Sequence, residues 1–336
     1  MKVKWIMAVL MVLTVVGLMM PVPAYPYLFE GSGTGSTFHP DKWQISTIPW
    51  VINPDITGTT IVGNGNVPVT LVMTNSFAAW TSAPNTHLVV NNTGTSTITN
   101  LDTTPVPAGT NLVCFRCTGS SLNFTNSDGT LALTVVTGSG TIADGNIFFN
   151  PDPGTPSQAL CFTTDGTACA NSSAIAIALQ GVATHEIGHF FGLGHSAVTS
   201  ATMYPFAGND DVTKLSYDDV AAISLVYPTS PLAVSTGYIA GQVTLNGAAV
   251  FGAHVFASST TSANPYSAFP NIRKTPVGFL TFPTGNYTIN NLPPDTYEVI
   301  AEPLDLPTSD SDIPTDWPAD WSQTGGVNTN FTTRWR

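Results

Sequence analysis

The pattern of apolar and polar residues changes in the second half of the chain. Before the change, apolar residues recur both at helical and at strand spacing, which predicts an α+β domain at 43–228. After it, Tyr238 to Leu245 alternate with a period of two, and Asn246-Gly247 is a typical hairpin turn. The sequence therefore predicts a second, all-β domain at 237–303, reached through a linker at 229–236.

Three helices are predicted in the α+β domain. The first is opened by Pro68, whose fixed φ suits the first turn of a helix. Its apolar face consists of Val69, Val72, Met73, Phe77 and Trp80. The second is expected to begin at Ser172 or Ser173, either of which can cap it, and to continue through Val182. The third begins at Ser216, where Ser216-Tyr217-Asp218-Asp219 matches a capping box.

Strands are predicted between these helices. Ile48–Ile52 and Ile142–Phe149 have strand composition, and short β-like runs lie between 91 and 140. Asp144-Gly145, inside the second of these strands, indicates a bulge or an exposed edge. We therefore expect a twisted mixed sheet packed with the three main helices. The all-β domain should add strands at Phe251–Ala257, Tyr287–Ile289 and Thr296–Ala301.

The first 24 residues are typical of an export signal. Lys2 and Lys4 precede an apolar run from Trp5 to Met20, and the small residue Ala24 ends the segment. An uncleaved membrane anchor is the alternative, although the run is short for a span. We expect a secreted protein without stable membrane association, in which a flexible Gly/Ser/Thr-rich leader occupies 25–42.

Charge narrows the range of partners. The chain of 336 residues carries 9 basic and 21 acidic side chains, a formal net charge of −12. Such a surface repels nucleic acid and anionic lipid, so neither is an expected partner. An excess of carboxylates is compatible with bound Ca²⁺, for which Asp210 and Asp211 are candidate ligands. A solvated acidic loop is the competing interpretation of that pair.

Four cysteines are present. In an exported chain disulfides are the default, and we expect the sequence-local pairs Cys114–Cys117 and Cys161–Cys169. Half of a zinc site or a redox pair is the alternative for the first pair. A zinc ribbon would need a second C-x-x-C motif, and the spacing from Cys161 to Cys169 does not provide it.

The most informative stretch reads HEIGHFFGLGH and begins at His185. His185 and His189 are four residues apart, so on a helix both imidazoles can reach one zinc ion. Gly192 can adopt a positive φ and turn the chain back, which lets His195 return as the third ligand. Glu186 lies about 100° round the helix from the first ligand, where it can reach a metal-bound water without binding the metal.

This arrangement predicts metal-assisted hydrolysis. Three neutral histidines leave the fourth zinc position open for water, whose pKa zinc lowers toward about 7. Glu186 can take the proton of that water and pass it to a leaving amine. The competing hypothesis is an extracellular adhesion or binding protein whose metal site is structural or vestigial. The presence of Glu186 favours the enzyme, since a purely structural site has no use for a base.

The motif H-E-x-x-H-x-x-G-x-x-H resembles the metzincin clan of zinc endopeptidases, and the turn Ser200 to Pro205 resembles that of the matrixin family. The resemblance extends over about 43–228 and implies one catalytic zinc and protein or peptide substrates. It implies that Met203 supports the zinc site from below and that Tyr204 and Pro205 wall a substrate pocket. It also implies that Gly140–Asn150 is the edge strand that pairs with substrate, which makes Ile142, Ala143 and Asp144 substrate-binding candidates.

The remaining segments are less specific. Residues 237–303 resemble the carboxypeptidase regulatory-like β-sandwich, which implies a non-catalytic module. Its His254 is interpreted as a strand residue and not as a ligand. The Pro/Asp/Trp-rich tail at 304–336 is a candidate for the start of a further segment. We expect a monomer.

Overall fold

A computed structural model of the protein describes residues 29, 31–32, 39–122, 124, 129–206, 212–269, 271–304 and 333–335. The predicted export signal, the candidate calcium ligands Asp210 and Asp211 and most of the tail lie outside the described residues. Within the described part of the chain, no helix is both long and apolar enough to cross a membrane.

Three helices and twenty strands make up the described structure. The helices are α1 (Val69–Thr81), α2 (Leu179–Phe190) and α3 (Tyr217–Val226). The strands of the N-terminal region are β1 (Gly31–Ser32), β2 (His39–Pro40), β3 (Ile48–Asn53), β4 (Val90–Thr95), β5 (Leu112–Cys114), β6 (Ala132–Gly138), β7 (Ile142–Phe149), β8 (Gly154–Thr155), β9 (Gln158–Thr163), β10 (Ile175–Ala178) and β11 (Leu215–Ser216). Those of the C-terminal region are β12 (Gly237–Gln242), β13 (Thr244–Leu245), β14 (Ala248–Ala249), β15 (His254–Ser259), β16 (Ile272–Arg273), β17 (Val277–Leu280), β18 (Asn286–Leu292), β19 (Tyr297–Glu302) and β20 (Arg334–Trp335).

A five-stranded mixed sheet with the order β4-β3-β5-β7-β6 forms the frame of the N-terminal region. All neighbours are parallel except β6, which runs antiparallel to β7. Helices α1 and α2 pack on the sheet through an aromatic cluster in which Phe77 contacts Trp50 and Phe190 at ring distances of 4.6 and 5.5 Å. The Trp80 indole then ties α1 to α2 by donating to the Thr184 carbonyl oxygen at 2.7 Å.

The predicted edge strand is not at the edge. β7 is flanked by β5 and β6, so Gly140–Asn150 cannot present a free backbone ladder to substrate, and that prediction was wrong. The cause is a reversal just before β7, where Gly138 and Gly140 have φ of 143° and 69° and fold β6 back onto β7. The bulge suggested by Asp144-Gly145 lies at this end, as a register shift between Thr137 and Gly138 on β6.

Helix α2 begins later than predicted. Ser172 and Ser173 do not start it, because Ile175–Ala178 forms β10, which pairs in parallel with β9. The alternating Ile and Ala residues satisfy their backbone groups in this ladder, and the helix begins only where the ladder ends, at Leu179. In contrast, Pro68 directly precedes α1, and the Ser216 capping box of α3 forms with Asp219 as its partner, both as predicted.

The C-terminal region is all-β over its described residues. β15 is flanked by β17 and β19 in a four-stranded sheet that β20 completes, while β12 pairs with β18. The predicted hairpin turn is present between β13 and β14, with φ of 53° at Asn246 and 84° at Gly247. The linker is held to the segment after α1, because Asn85 makes two hydrogen bonds of 2.8 Å with the backbone of Val234.

Both cysteine pairs are bonded as expected, with S–S distances of 2.11 Å for Cys114–Cys117 and 2.09 Å for Cys161–Cys169.

One described residue of the leader packs against the N-terminal region. Phe29 is 1% exposed and pairs with Leu193 through an isolated antiparallel bridge. This places Phe29 beside the turn that joins His189 to His195.

Candidate active site

The three motif histidines converge beside the C-terminal half of α2. His185 and His189 project from one face of the helix, and their Nε2 atoms are 3.2 Å apart. After α2 the chain turns back through Gly192, whose φ is 87°, and brings in His195. One ring nitrogen from each of the three residues lies within 4.8 Å of the others. The turn predicted from the motif therefore assembles the three rings.

The tautomers of two of these histidines are fixed by backbone carbonyls. His185 Nδ1 lies 2.7 Å from the Thr202 oxygen, and His189 Nδ1 lies 2.7 Å from the Leu193 oxygen. A carbonyl can only accept, so both Nδ1 atoms carry the proton and both Nε2 lone pairs face the centre of the cluster. Two lone pairs 3.2 Å apart repel each other, and a cation between them removes this repulsion. The donor set thus fits a metal ion.

Burial keeps His185 and His189 in the form that binds metal. Desolvation, and secondly the nearby His195, lower the pKa of His185 to about 4. Desolvation also lowers the pKa of His189 well below its usual value, with His185 and His195 acting in the same direction. Both rings are therefore neutral near pH 7, as metal ligation requires.

Glu186 is buried next to the cluster, and Thr134 of β6 holds its side chain. The Thr134 hydroxyl donates to Glu186 Oε2 at 2.6 Å, and the Glu186 main-chain oxygen lies 3.1 Å from the same hydroxyl. Burial raises the pKa of the Glu186 carboxyl to about 7, while the hydrogen bond from Thr134 opposes the rise. A carboxyl with a pKa near 7 can both accept and return a proton at neutral pH.

Met203 lies directly below the histidine-bearing helix. It is 2% exposed, and its sulfur would lie only 2.1 Å from a Cβ added at Gly188, the residue directly before His189. The turn that carries it is held by Asp219, whose carboxylate accepts from the amides of Thr202 at 2.9 Å and Met203 at 3.1 Å. Sequence reasoning had given Asp219 only a capping role. Its second role depends on a contact across sixteen residues.

The substrate-binding candidates Ile142 and Asp144 are held by contacts within the N-terminal region. Ile142 is 3% exposed and its amide donates to the Lys42 oxygen, while the Asp144 carboxylate accepts from the amide of Gly109. These contacts engage both residues inside the domain. Tyr204, next to Pro205 in the chain, is in edge contact with Phe206 at a ring distance of 5.8 Å. Among the described strands, the sheet edge next to Glu186 is instead β6, which no sequence pattern singled out.

Comparison with known proteins agrees with this geometry. The profile of the family described as Matrixin matches residues 115–228, a segment that contains the three histidines, Glu186, Met203 and helix α3.

Several metalloproteinases are similar to the chain over shorter stretches. Metalloendoproteinase 4-MMP of Arabidopsis thaliana is 39% identical over 75 residues, 22% of this chain and 22% of that protein. Metalloendoproteinase 1-MMP of the same plant is 48% identical over 61 residues, 18% of this chain and 17% of that protein. Matrilysin of Homo sapiens is 36% identical over 111 residues, 32% of this chain and 36% of that protein.

The matches thus span only 17% to 36% of the length of these relatives. The Matrixin match nevertheless coincides with the segment in which the three histidines and the buried Glu186 meet. The mixed sheet and the three helices around that segment also fit the family. Residues 115–228 accordingly resemble a matrixin catalytic domain, and this similarity supports a metalloendopeptidase.

Proposed function

We propose that the protein is a secreted zinc-dependent endopeptidase that hydrolyses peptide bonds of extracellular proteins. The observation that carries the proposal is the cluster of His185, His189 and His195, whose ligand atoms lie within 4.8 Å of one another beside the buried Glu186. Three imidazoles without a carboxylate ligand suit zinc, and they leave a position open for water or substrate.

Each residue has a defined part in the proposed reaction. When bound, zinc supplies a Lewis acid that acidifies water and stabilises negative charge on the substrate carbonyl oxygen. Glu186 removes a proton from the attacking water and delivers it to the leaving amine, with Thr134 holding the carboxyl in place. His185 and His189 are oriented by the carbonyls of Thr202 and Leu193.

The free edge of β6 is the proposed docking site for an extended substrate. Among the described strands β6 pairs with β7 alone, and its Thr134 contacts Glu186 directly. A substrate strand paired along β6 would therefore pass the histidine cluster, and backbone pairing gives affinity with little sequence preference. Tyr204 and Pro205 remain the predicted wall of the side-chain pocket.

Secretion is supported by the N-terminal segment and by the cysteines. Residues 1–24 combine a basic start, an apolar run and a small residue at the end, as an export signal does. Cys114–Cys117 and Cys161–Cys169 are both bonded, and disulfides persist outside the reducing cytosol.

Casein hydrolysis by protein purified from an exporting host, with zinc measured on the same sample, tests the proposal. We expect about one zinc per chain, cleavage of casein, loss of cleavage with a zinc chelator and its return when zinc is restored. Cleavage that continues unchanged after zinc removal would contradict the mechanism. A protein that holds zinc but cleaves neither casein nor gelatin would favour the adhesion or binding protein with a structural metal site.

Replacing Thr134 with Val is expected to lower kcat for casein peptides by about tenfold with little change in KM, because the hydroxyl that holds the Glu186 carboxyl is lost. Val keeps the shape of Thr and suits a strand, so β6 should stay paired. Thr134→Ser retains the hydroxyl and should preserve most of the activity. Equal kcat values for the Val and Ser variants would show that the hydrogen bond has no role in catalysis.

A further inference from the structure

The C-terminal β region contacts the segment that carries the third histidine. The backbone amide of Gly278, in β17, donates to Asp218 Oδ1 at 2.7 Å. The other oxygen of this carboxylate accepts from the Ser196 hydroxyl at 2.6 Å, and Ser196 directly follows His195. One buried carboxylate therefore joins a strand of the β region to the residue next to a proposed metal ligand.

The approach of the two regions at this point is too close for a side chain. A Cβ added at Gly278 would lie 2.6 Å from Val198 Cγ2 and 2.9 Å from His254 Nε2. Val198 belongs to the loop after His195, and its amide donates to the Ser196 hydroxyl oxygen at 3.1 Å. Glycine at 278 is thus what allows β17 to lie against this loop.

Further bonds hold β17 in this position. The Tyr217 amide donates to Thr275 Oγ1 at 3.1 Å, and the Tyr217 hydroxyl donates to Asn264 Oδ1 at 2.6 Å. β11 and β16 pair in parallel across the same boundary. A single apolar core, which includes Tyr217 and Tyr266 in edge contact at 5.1 Å, runs through both regions. The β region is therefore packed against the catalytic domain and not only attached through the linker.

Asp218 needs these donors because it is buried beside a second carboxylate. It is 2% exposed and its neighbour Asp219 is 1% exposed. Desolvation, and secondly Asp219, raise the pKa of Asp218 to about 7, and the hydrogen bonds from Gly278 and Ser196 act against the rise. Removing a donor from such a carboxylate is costly, so the orientations of Ser196 and β17 are coupled through it.

We propose that the C-terminal β region is a positioning part of the catalytic unit, in which Gly278 holds Asp218, Asp218 holds Ser196, and Ser196 fixes the backbone that presents His195 to the metal. Asp218 is in this view a positioning residue that contacts neither metal nor substrate. The Ser196 amide also donates to the Met203 oxygen at 2.8 Å, so the same chain of contacts reaches the turn below the histidines. The inference rests on the proposed zinc function.

The test is made on the full chain with two variants of the contact. Gly278→Ala places a methyl group against Val198 and His254 and pushes β17 away from Asp218, whereas Ser196→Ala removes one hydroxyl and disturbs the fold less. Gly237→Ala is the matched control, because it lies in the same β region with nothing within 4 Å of its added methyl.

Zinc affinity by chelator competition is the main measurement. We expect Gly278→Ala and Ser196→Ala to weaken zinc binding by about 10- to 100-fold, as losses of outer-shell support do, and Gly237→Ala to match the parent. The visible spectrum of the cobalt-substituted protein should change in the same two variants. The double variant should lose less zinc affinity than the product of the fold-losses of the two single variants.

The outcomes separate the inference from the proposed function. Parent-like zinc affinity and an unchanged cobalt spectrum in both contact variants would overturn the positioning role, whatever the parent cleaves. A parent that binds zinc but cleaves no protein would overturn the proposed function and leave the affinity comparison decisive for the inference. A parent without zinc affinity would overturn both. Thermal unfolding of the metal-free variants shows whether Gly278→Ala is folded. If Gly278→Ala is not folded, the zinc affinity of Ser196→Ala decides the test.

Discussion

Replacing Glu186 with Gln is expected to lower kcat for peptide hydrolysis by about 10²- to 10⁴-fold, the usual contribution of a general base. Gln keeps the length and shape of Glu, and its carbonyl oxygen can still accept the hydrogen bond from Thr134. It cannot take a proton from water, so the loss falls on the chemical step. Zinc content should stay at the parent level, because Glu186 is not among the three residues whose ligand atoms converge. Steady-state kinetics and metal analysis on one preparation check both statements.

A second Glu→Gln variant separates this effect from the loss of a negative charge. Glu298 is exposed on β19, in the C-terminal region, and Glu298→Gln removes the same charge away from the histidines. It should hydrolyse casein at the parent rate. If Glu186→Gln also retained a rate within a few-fold of the parent, Glu186 would not be the base.

Local chemistry made most of the site predictable. The motif histidines and Gly192 lie within one helix and one turn, so their spacing alone determines that they can meet. The capping box at Ser216 and the Asn246-Gly247 turn are equally local, and both form as the sequence predicts. In each case the deciding interaction spans only a few residues.

The sequence-based predictions of the start of α2 and of the sheet edge were wrong, because both features depend on pairing with another strand. β10 replaces the first turns of the expected helix because β9 offers a parallel ladder to Ile175–Ala178. Likewise, nothing in the composition of β7 shows that β6 will cover it. Both strands are satisfied by pairing, and the period-two pattern of a strand does not identify its neighbour.

Thr134 and Asp218 were missed as parts of the site for the same reason. Thr134 is a half-buried threonine in a Thr-rich strand, and its contact with Glu186 spans 52 residues. Asp218 was assigned to the first turn of a helix, and its contact with Gly278 spans 60 residues. Single-sequence patterns describe the ligands of a site better than they describe the residues that support them, because support comes from tertiary packing.

Replacing Gly192 with Ala is expected to destabilise the fold strongly and to weaken zinc binding. Gly192 ends α2 as the positive-φ residue of a Schellman motif, in which the Leu193 amide donates to the Gly188 oxygen at 3.0 Å and the Gly192 amide to the His189 oxygen at 2.8 Å. A Cβ there would lie 2.2 Å from the Asp41 backbone oxygen. Left-handed strain costs about 1–2 kcal/mol, and overpacking against an anchored backbone adds about 1–3 kcal/mol.

Gly58→Ala is the control that separates these two costs, since Gly58 has a similar φ of 78° but nothing within 4 Å of an added Cβ. The free energy of unfolding of Gly58→Ala should fall only by the cost of left-handed strain, about 1–2 kcal/mol, and its zinc affinity should match that of the parent. In Gly192→Ala the free energy of unfolding of the metal-free protein, measured by chemical denaturation, should fall by about 2–5 kcal/mol. Zinc affinity should also fall, because the displaced turn carries Leu193 and His195. Equal losses of stability in the two variants, with zinc binding retained in both, would mean that the turn can move away from Asp41. The geometry that joins the third histidine to the first two would then be less constrained than its contacts indicate.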